Sequence, residues 1–348
     1  MDDVPSHFVT ANGIRMHLWR AGRGPTLLLL HGWPEFCRTW RRVIPLLASE
    51  LDLIAPDLRG FGRTESKPID ATRGLGDMAD DVRSLLESLG LADTGTVNSA
   101  GWSMGGGVLM QYLLTHADDL ASLTLVAPIS PYGFGGTKGP DGQACSDDFV
   151  ATGAGGAAPE FVQRLAAGDT SEDDPGSSVR VVMRQFFGAR DNVANIDEDF
   201  LMDEVVRTRT GSDFYPGDGA TSPNWPTLAP GEHGVLNSMS PKYYNAAGIV
   251  DLPRKPPITW LRGAQDQVIS DTSMFDLAHL GQLGAIPGWP GEDVLPAQPM
   301  NDQIRAVLDG YRAGGGVVEE VALENAAHGL PVEVPEVVAA TIVARLVR

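Results

Sequence analysis

The chain has 348 residues with 45 acidic and 26 basic side chains, and its net charge of -19 disfavours nucleic acid or an anionic membrane as a partner. Its two cysteines, Cys37 and Cys145, are too few for a disulfide scaffold or a cysteine-rich metal site. The acidic N-terminus lacks the apolar segment of a secretory signal, and no early apolar run is long enough to span a bilayer, so we expect a cytoplasmic protein.

Residues 7–130 alternate between short apolar runs and segments with helical spacing. A hairpin is predicted over 7–19, because alternating side chains flank the turn sequence Asn12-Gly13. The elements predicted after it are, in chain order, a strand at 26–30, a helix at 38–50, a strand at 51–55, a helix at 77–89, a strand at 96–100, a helix at 105–116 and a strand at 123–127. Such alternation predicts an α/β fold, a mostly parallel twisted sheet with helices on both faces.

The alternation stops near residue 131 and resumes near residue 256. The later predictions are helices at 158–167, 178–188 and 196–208, a loop-like segment at 209–238, strands at 258–261 and 317–323, and a helix at 335–347. Because one domain usually has about 150 residues, we predict a catalytic core at 1–130 and 256–348 that carries a largely helical cap at 131–255. A second excursion from the core is predicted at 274–300.

A Gly-x-Ser-x-Gly motif lies between a predicted strand and a predicted helix. It comprises Gly101, Trp102, Ser103, Met104 and Gly105. The motif alone is weak, because short Gly/Ser strings also form turns without chemistry. Its strand-to-helix context is typical of a nucleophile elbow, in which small residues two positions on either side leave room for a strained serine. We therefore predict Ser103 as the nucleophile.

A nucleophilic serine needs a base and an acid that holds the base in the right tautomer. His328 follows a late predicted strand, at the edge of the sheet where doubly wound folds place their active sites. Asp266 follows another late strand through a glycine turn, and Asp271 is the alternative acid. The order Ser103, Asp266, His328 is the order expected for this elbow motif.

The sequence His31-Gly32-Trp33-Pro34 follows an earlier predicted strand. A loop at this position can direct a backbone N–H at a developing oxyanion, and Pro34 has none to offer. We predict the N–H groups of Trp33 and Met104 as the oxyanion hole. His31 is interpreted as a residue that fixes the loop rather than as a base.

The substrate site is predicted from aromatic residues near the elbow and in the cap. The candidate substrate contacts are Trp102, Phe187 and Trp225, with Phe186, Phe200 and Met202 as further lining residues. The proposed chemistry requires no metal and no organic cofactor. A small molecule is therefore the only predicted partner, and the oligomeric state is left open.

The chain resembles the α/β-hydrolase superfamily, in the subgroup that mixes epoxide hydrolases, haloalkane dehalogenases, esterases and cofactor-free haloperoxidases. Residues 31–35, HGWPE, are similar to the oxyanion loop of epoxide hydrolases, and residues 57–66, DLRGFGRTES, resemble the turn after strand 4 in the same subgroup. Ser103, Asp266 and His328 match the positions of the catalytic triad. The resemblance covers roughly 7–130 and 256–346 and implies an α/β-hydrolase fold.

One departure from that subgroup bears on the reaction. Its epoxide hydrolases and dehalogenases use an aspartate as nucleophile, whereas this chain has Ser103. An acyl-enzyme is therefore expected, and a carboxylic ester, lactone or thioester of medium size and partly apolar character is the predicted substrate. Tyr215, Tyr243 and Tyr244 in the predicted cap are similar in placement to the lid tyrosines of epoxide hydrolases, although packing or substrate contact is the favoured role.

Two other hypotheses use the same residues. The triad could serve a carbon–carbon bond hydrolase, a lyase or a cofactor-free oxygen enzyme, because spacing alone does not separate these reactions. A non-catalytic ligand receptor could also keep the fold. A complete triad with both oxyanion donors argues against the receptor.

Overall fold

An eight-stranded sheet forms the centre of the computed structural model, which describes residues 4–34, 36–189, 192, 194 and 196–346. Its strands are β1 (Ser6–Ala11), β2 (Ile14–Ala21), β3 (Thr26–Leu30), β4 (Asp52–Pro56), β5 (Val97–Trp102), β6 (Leu120–Val126), β13 (Ile258–Gly263) and β14 (Val318–Leu323). Their spatial order is β1-β2-β4-β3-β5-β6-β13-β14. The pairs β1–β2 and β2–β4 are antiparallel, and the other neighbouring pairs are parallel. The predicted α/β class is therefore confirmed.

The remaining described strands lie outside this sheet and are two or three residues long. They are β7 (Thr137–Lys138), β8 (Gln143–Ala144), β9 (Thr210–Gly211), β10 (Tyr215–Pro216), β11 (Gly219–Thr221) and β12 (Leu228–Pro230). The last four lie within the segment 209–238, which was predicted to be loop-like, and account for ten of its 30 residues. The predicted hairpin at 7–19 is confirmed, and its turn residues Asn12 and Gly13 both have positive φ, as a two-residue turn of this kind requires.

The described helices lie between the strands of the sheet in the sequence and after the last of them. They are α1 (Ile44–Leu47), α2 (Gly76–Ser88), α3 (Met104–His116), α4 (Pro159–Ala167), α5 (Val179–Phe187), α6 (Glu198–Val205), α7 (Val235–Ser238), α8 (Leu277–Gln282), α9 (Met300–Ala313), α10 (Leu330–Glu333) and α11 (Pro335–Arg345). Every residue of β3, β5 and β6 is buried, which fits parallel strands with both faces covered. No described helix has the length and apolar character needed to cross a membrane.

Two helical predictions need correction. The single helix predicted at 38–50 is a 3₁₀ helix, Cys37–Arg42, followed by the short α1. Pro45 lies in the first turn of α1, where its missing N–H is tolerated, and the same residue would interrupt one continuous helix. The prediction also missed α9, although Ile304, Val307, Leu308 and Tyr311 are buried at helical spacing.

The segment between β6 and β13 and the second excursion are joined by buried amides. The Ser130 hydroxyl donates to Gln303 Oε1 at 2.7 Å, and Gln298 Nε2 donates to the Gly133 carbonyl at 3.1 Å. The Gly135 N–H donates in turn to Gln298 Oε1 at 2.5 Å. Because these bonds are buried and reciprocal, they fix the start of the predicted cap against the chain that leads into α9.

Loops at one edge of the sheet carry the predicted site residues. Trp33 follows β3, Ser103 follows β5, Asp266 follows β13 and His328 follows β14. These four strands are parallel, so their carboxyl ends lie at the same edge. Residues distant in the sequence can therefore meet there.

Candidate active site

Ser103 lies at a sharp turn between β5 and α3. Its backbone has φ 55° and ψ -118°, a region that residues with a side chain rarely occupy. A Cβ built on Gly101 would lie 2.4 Å from the Gly105 carbonyl oxygen, and one built on Gly105 would lie 2.5 Å from the Leu30 carbonyl oxygen. Both positions therefore require glycine, and the sequence spacing has a steric cause.

The structure brings Ser103, His328 and Asp266 into one hydrogen-bonded row. His328 Nε2 is 3.1 Å from Ser103 Oγ, and His328 Nδ1 is 2.8 Å from Asp266 Oδ2. A carboxylate only accepts hydrogen bonds, so Nδ1 carries the proton and Nε2 is left to accept from the serine hydroxyl. All three residues are buried, with at most 7% of their surface exposed. The row has the geometry of a nucleophile, a base and an orienting acid.

Asp266 is held by its own turn. Its Oδ1 accepts the N–H groups of Val268 at 2.7 Å and Ile269 at 2.9 Å, while Oδ2 faces the histidine. The alternative acid, Asp271, instead accepts the Asn301 N–H at 2.8 Å at the start of α9. Between these two carboxylates, the structure pairs Asp266 with the histidine.

The backbone N–H groups of Trp33 and Met104 flank the serine. Met104 is the first residue of α3, where helical N–H groups lack an intrahelical acceptor. Within the described residues, neither N–H has a hydrogen-bond acceptor in the protein. Gly32 keeps the loop close to the nucleophile, since a Cβ there would lie 2.9 Å from Ser103 Cβ. This arrangement can receive an oxyanion.

The His31 imidazole holds that loop in place through two hydrogen bonds. The Leu58 N–H donates to His31 Nε2 at 2.9 Å, and His31 Nδ1 lies 2.7 Å from the Gly32 carbonyl oxygen. Burial lowers the pKa of His31 below its ordinary value, so the neutral ring, with one donor and one acceptor, is favoured. The Trp33–Pro34 peptide bond is cis. Glu35, at the end of the loop that resembles the oxyanion loop of epoxide hydrolases, lies outside the described residues.

A cavity of about 430 Å³ lies over Ser103 and His328. Its aromatic lining consists of Trp33, Phe134, Phe161, Phe186, Phe187, Tyr215 and Phe275. The described lining residues include no Asp, Glu, Lys or Arg. The cavity therefore offers an apolar, uncharged environment to whatever reaches the serine.

Comparison with known proteins shows which family this chain belongs to. The model of the alpha/beta hydrolase fold family matches residues 25–294. The chain belongs to that family. The matched segment includes Ser103 and Asp266, whereas His328 lies beyond its end.

Curated relatives of this α/β-hydrolase match only part of it. A soluble epoxide hydrolase from Corynebacterium sp. (strain C12) is 41% identical over 116 residues, which are 33% of this chain and 39% of that protein. A fluoroacetate dehalogenase from Burkholderia sp. is 39% identical over 115 residues, 32% of this chain and 36% of that protein. The matches span less than half the length of these relatives.

Solved structures resemble this α/β-hydrolase along nearly its whole length. An epoxide hydrolase from Vigna radiata has a TM-score of 0.62 at 19% identity, covering 99% of this chain and 98% of that one. An esterase from Exiguobacterium antarcticum has a TM-score of 0.61 at 17% identity, covering 98% and 99% respectively. At such identities the likeness shows the fold alone.

Two predicted substrate contacts of this α/β-hydrolase lie elsewhere. Trp102 is fully buried behind the histidine, and its Nε1 donates to the His328 carbonyl at 2.9 Å. Trp102 is not among the described residues that line the cavity. Trp225 donates to the Pro287 carbonyl at 2.8 Å and is not among the described residues that line the cavity.

Phe187 does line the cavity, and so does Phe186, whereas Phe200 and Met202 do not. Phe200 lies instead beneath the Arg41 guanidinium, 3.4 Å from its ring centre. Both misplaced residues are on α6, and helical spacing alone does not indicate which face of a helix is turned to a cavity.

The three cap tyrosines have different surroundings. Tyr215 lines the cavity and stacks on Trp33, with ring centres 4.5 Å apart, and burial raises its pKa. The buried Tyr244 donates to the Gly107 carbonyl at 3.1 Å, away from the serine. Tyr243 lies under the Lys242 ammonium group. Sequence analysis did not distinguish among the three tyrosines. In the structure, Tyr215 is the one of the three that lines the cavity.

A buried cluster outside the cavity has the atom types of a metal site. His17, Cys37 and Asp57 bring one potential ligand atom each within 4.8 Å of one another. Both nitrogens of His17 already have partners, however, at 2.7 Å from Ser6 Oγ and 2.7 Å from Asp57 Oδ2. Burial raises the pKa of the Cys37 thiol well above its ordinary value, which disfavours the thiolate a metal would need. These contacts indicate a structural hydrogen-bonded cluster rather than a metal site.

Proposed function

We propose that this chain is a serine hydrolase that cleaves a carboxylic ester, lactone or thioester through an acyl-enzyme on Ser103. The observation that carries the proposal is the row from Ser103 Oγ through the His328 imidazole to Asp266, with separations of 3.1 Å and 2.8 Å. A neutral imidazole held in this way can take the serine proton during attack.

The reaction follows from the positions of these groups. Ser103 Oγ attacks the carbonyl carbon while its proton passes to His328 Nε2, and the carbonyl electron pair moves onto oxygen. The Trp33 and Met104 N–H groups stabilise that oxyanion. When the intermediate collapses, the bond to the leaving oxygen or sulfur breaks and His328 protonates it. Water then attacks the acyl-enzyme by the same steps, while Asp266 stays ionised.

Serine at this position argues against epoxide opening and dehalogenation, the activities named for the two relatives. An alkylated serine would be an ether, which has no carbonyl for water to attack. An alkylated aspartate is an ester and can be hydrolysed. Turnover on Ser103 therefore needs a substrate that leaves an acyl group on the oxygen.

The cavity favours a neutral substrate of medium size. Its described lining offers no cation to pair with a carboxylate or phosphate on the substrate. An ionised group that loses its hydration without gaining a partner is costly to bury. We therefore expect uncharged acyl and alcohol parts that are apolar enough to displace water from the cavity.

Labelling of the nucleophile tests the proposal. A fluorophosphonate should modify the peptide that contains Ser103, and Ser103→Ala should lose both the label and ester turnover without a change in unfolding temperature. A graded set of p-nitrophenyl esters, lactones and thioesters should be hydrolysed by the wild type, with neutral members preferred over those that carry a distal carboxylate. Labelling of a different serine, or hydrolysis of none of these compounds, would contradict the proposal.

A further inference from the structure

The cavity has two sides with respect to the reacting carbon. In the tetrahedral intermediate one substituent is Ser103 Oγ, and the oxyanion faces the Trp33 and Met104 N–H groups. The leaving oxygen must come within hydrogen-bond reach of His328 Nε2, because that nitrogen supplies its proton. The acyl carbon takes the remaining corner. The leaving group therefore occupies the part of the cavity beside His328.

The end of α5 is hydrogen-bonded directly to the loop that carries His328. The Gly329 N–H donates to the Phe187 carbonyl at 2.9 Å, which joins the histidine loop to the end of α5. The Phe187 ring meets the His328 imidazole edge-on, with ring centres 6.0 Å apart. Phe187 is thus fixed next to the nitrogen that protonates the leaving group.

The loop after Asp266 contributes Phe275 to the same part of the cavity. The Met274 N–H donates to the Gln267 carbonyl at 2.9 Å, and the Ser273 hydroxyl donates to the Val268 carbonyl at 2.7 Å. These bonds hold Phe275 close to the acid turn, where it meets Phe186 edge-to-face with ring centres 4.7 Å apart.

The opposite side is built from different elements. Phe161 on α4 lies against Trp33, with ring centres 6.4 Å apart, and Tyr215 stacks on the same indole. Because Trp33 belongs to the proposed oxyanion loop, we assign this wall to the acyl side of the reacting carbon. Phe161 lines the same cavity as Phe275 and is also a phenylalanine, which makes it the comparison residue, although Phe161 is buried and Phe275 is partly buried.

We propose that Phe186, Phe187 and Phe275 form a leaving-group subsite that selects esters of aromatic alcohols, such as benzyl-type esters. The subsite combines three phenylalanine rings, and its described residues carry no charge. An aromatic ring enters such a site with favourable edge-to-face contacts, whereas a methyl leaving group leaves it unfilled. The inference rests on the proposed acyl-enzyme, since only that mechanism gives the leaving group a place of its own.

The test compares benzyl and methyl esters of one acid. Phe275→Ala should lower kcat/KM for the benzyl ester by about tenfold relative to the methyl ester, on the scale of a lost aromatic contact in a pocket. Deacylation should be unchanged, because both esters give the same acyl-enzyme after the alcohol has left. Single-turnover acylation and the decay of the acyl-enzyme, followed by mass spectrometry, measure the two steps separately.

Phe161→Ala is the matched control. It should leave the ratio of benzyl to methyl rates unchanged but alter deacylation and the preference among acyl groups. If Phe275→Ala is poorly folded, Phe275→Leu keeps the apolar volume and should shift the ratio in the same direction by a smaller factor.

The outcomes separate the two proposals. An acyl-enzyme that forms normally, with a benzyl-to-methyl ratio unaffected by both Phe275 variants, would overturn the subsite and leave the proposed function intact. A ratio that changes in Phe161→Ala instead would place the leaving group on the opposite wall. Failure of both esters to acylate Ser103 in the wild type would overturn the subsite and the proposed function together.

Discussion

The core beneath Ser103 and the helices above it use charged residues in different ways. In the core, the guanidinium of Arg59, with 3% of its side chain exposed, lies 2.6 Å from Asp81 and 3.1 Å from Asp77. Above the cavity, Arg184 on α5 pairs with Glu172 and Glu198 while 34% of its side chain is exposed. Buried charges depend strongly on their partners, whereas exposed pairs contribute little. We therefore expect Arg59 to stabilise the core more than Arg184 stabilises helices α4, α5 and α6, which we call the covering layer, and we expect salt to weaken the Arg184 pairs more readily.

The boundary between these regions is the cavity itself. Phe187 belongs to α5 by sequence, but its carbonyl accepts from the histidine loop of the core. The covering layer therefore contributes to the environment of His328, whereas Ser103, His328 and Asp266 all follow strands of the core sheet. Substitutions in one region should therefore change properties that substitutions in the other region leave unaltered.

The largest expected effect concerns the acid of the core. Asp266→Asn should lower kcat by about three to four orders of magnitude, because the amide no longer favours the histidine tautomer that accepts the serine proton; the same change in a serine protease costs about 10⁴. Steady-state kinetics on a p-nitrophenyl ester would measure the loss. Asp271→Asn is the matched control and should stay near wild type. A dead Asp271→Asn beside an active Asp266→Asn would reverse the assignment of the acid.

The second expected effect compares the two arginines. Arg59→Met should lower the free energy of unfolding by about 3–5 kcal/mol, because Asp81 and Asp77 would be left buried without their partner. Arg184→Met should lower it by less than about 1 kcal/mol, since its pairs are partly exposed. Urea unfolding followed by circular dichroism gives both values. Equal losses of unfolding free energy in the two variants would refute the contrast between the core and the covering layer.

The third expected effect concerns the pH dependence of stability and the hydrogen bonds that Asp57 accepts. Burial alone would raise the pKa of Asp57, but hydrogen bonds from His17 and from the Arg63 N–H outweigh it and hold the pKa below its ordinary value of 3.8. The unfolded chain therefore binds more protons in the acid range. The stabilisation is present above that ordinary value and is lost as the pH falls through it towards the folded pKa.

Asp57→Asn should accordingly reduce stability at pH 7 by about 1–3 kcal/mol and flatten its decline between about pH 5 and pH 3. Urea unfolding across that range measures the slope. Asp199→Asn removes an aspartate of the covering layer with 89% of its side chain exposed and should leave the slope close to that of the wild type. An unchanged slope in Asp57→Asn would show that other carboxylates account for the acid sensitivity.

Local pattern was enough to predict the strand, the turn and the helix around Ser103. Gly101 and Gly105 mark that turn because no larger residue fits beside the neighbouring carbonyl groups. The positions of Asp266 and His328 after late strands were also legible, since parallel strands bring their carboxyl ends to one edge whatever their separation in the chain. These features depend on residues that are close in sequence or on a general property of parallel sheets.

Which side chains face the cavity was decided only by the tertiary structure. Trp102 and Trp225 were predicted as substrate contacts, yet one supports the histidine loop and the other binds the Pro287 carbonyl. Phe275 was not singled out, although hydrogen bonds tie its loop to the turn after Asp266 and Phe275 lines the cavity. The sequence around an aromatic residue does not indicate which residues its side chain will contact. Its orientation depends on contacts between distant segments, and these exist only once the sheet, the helices above it and the buried amides between them have packed together.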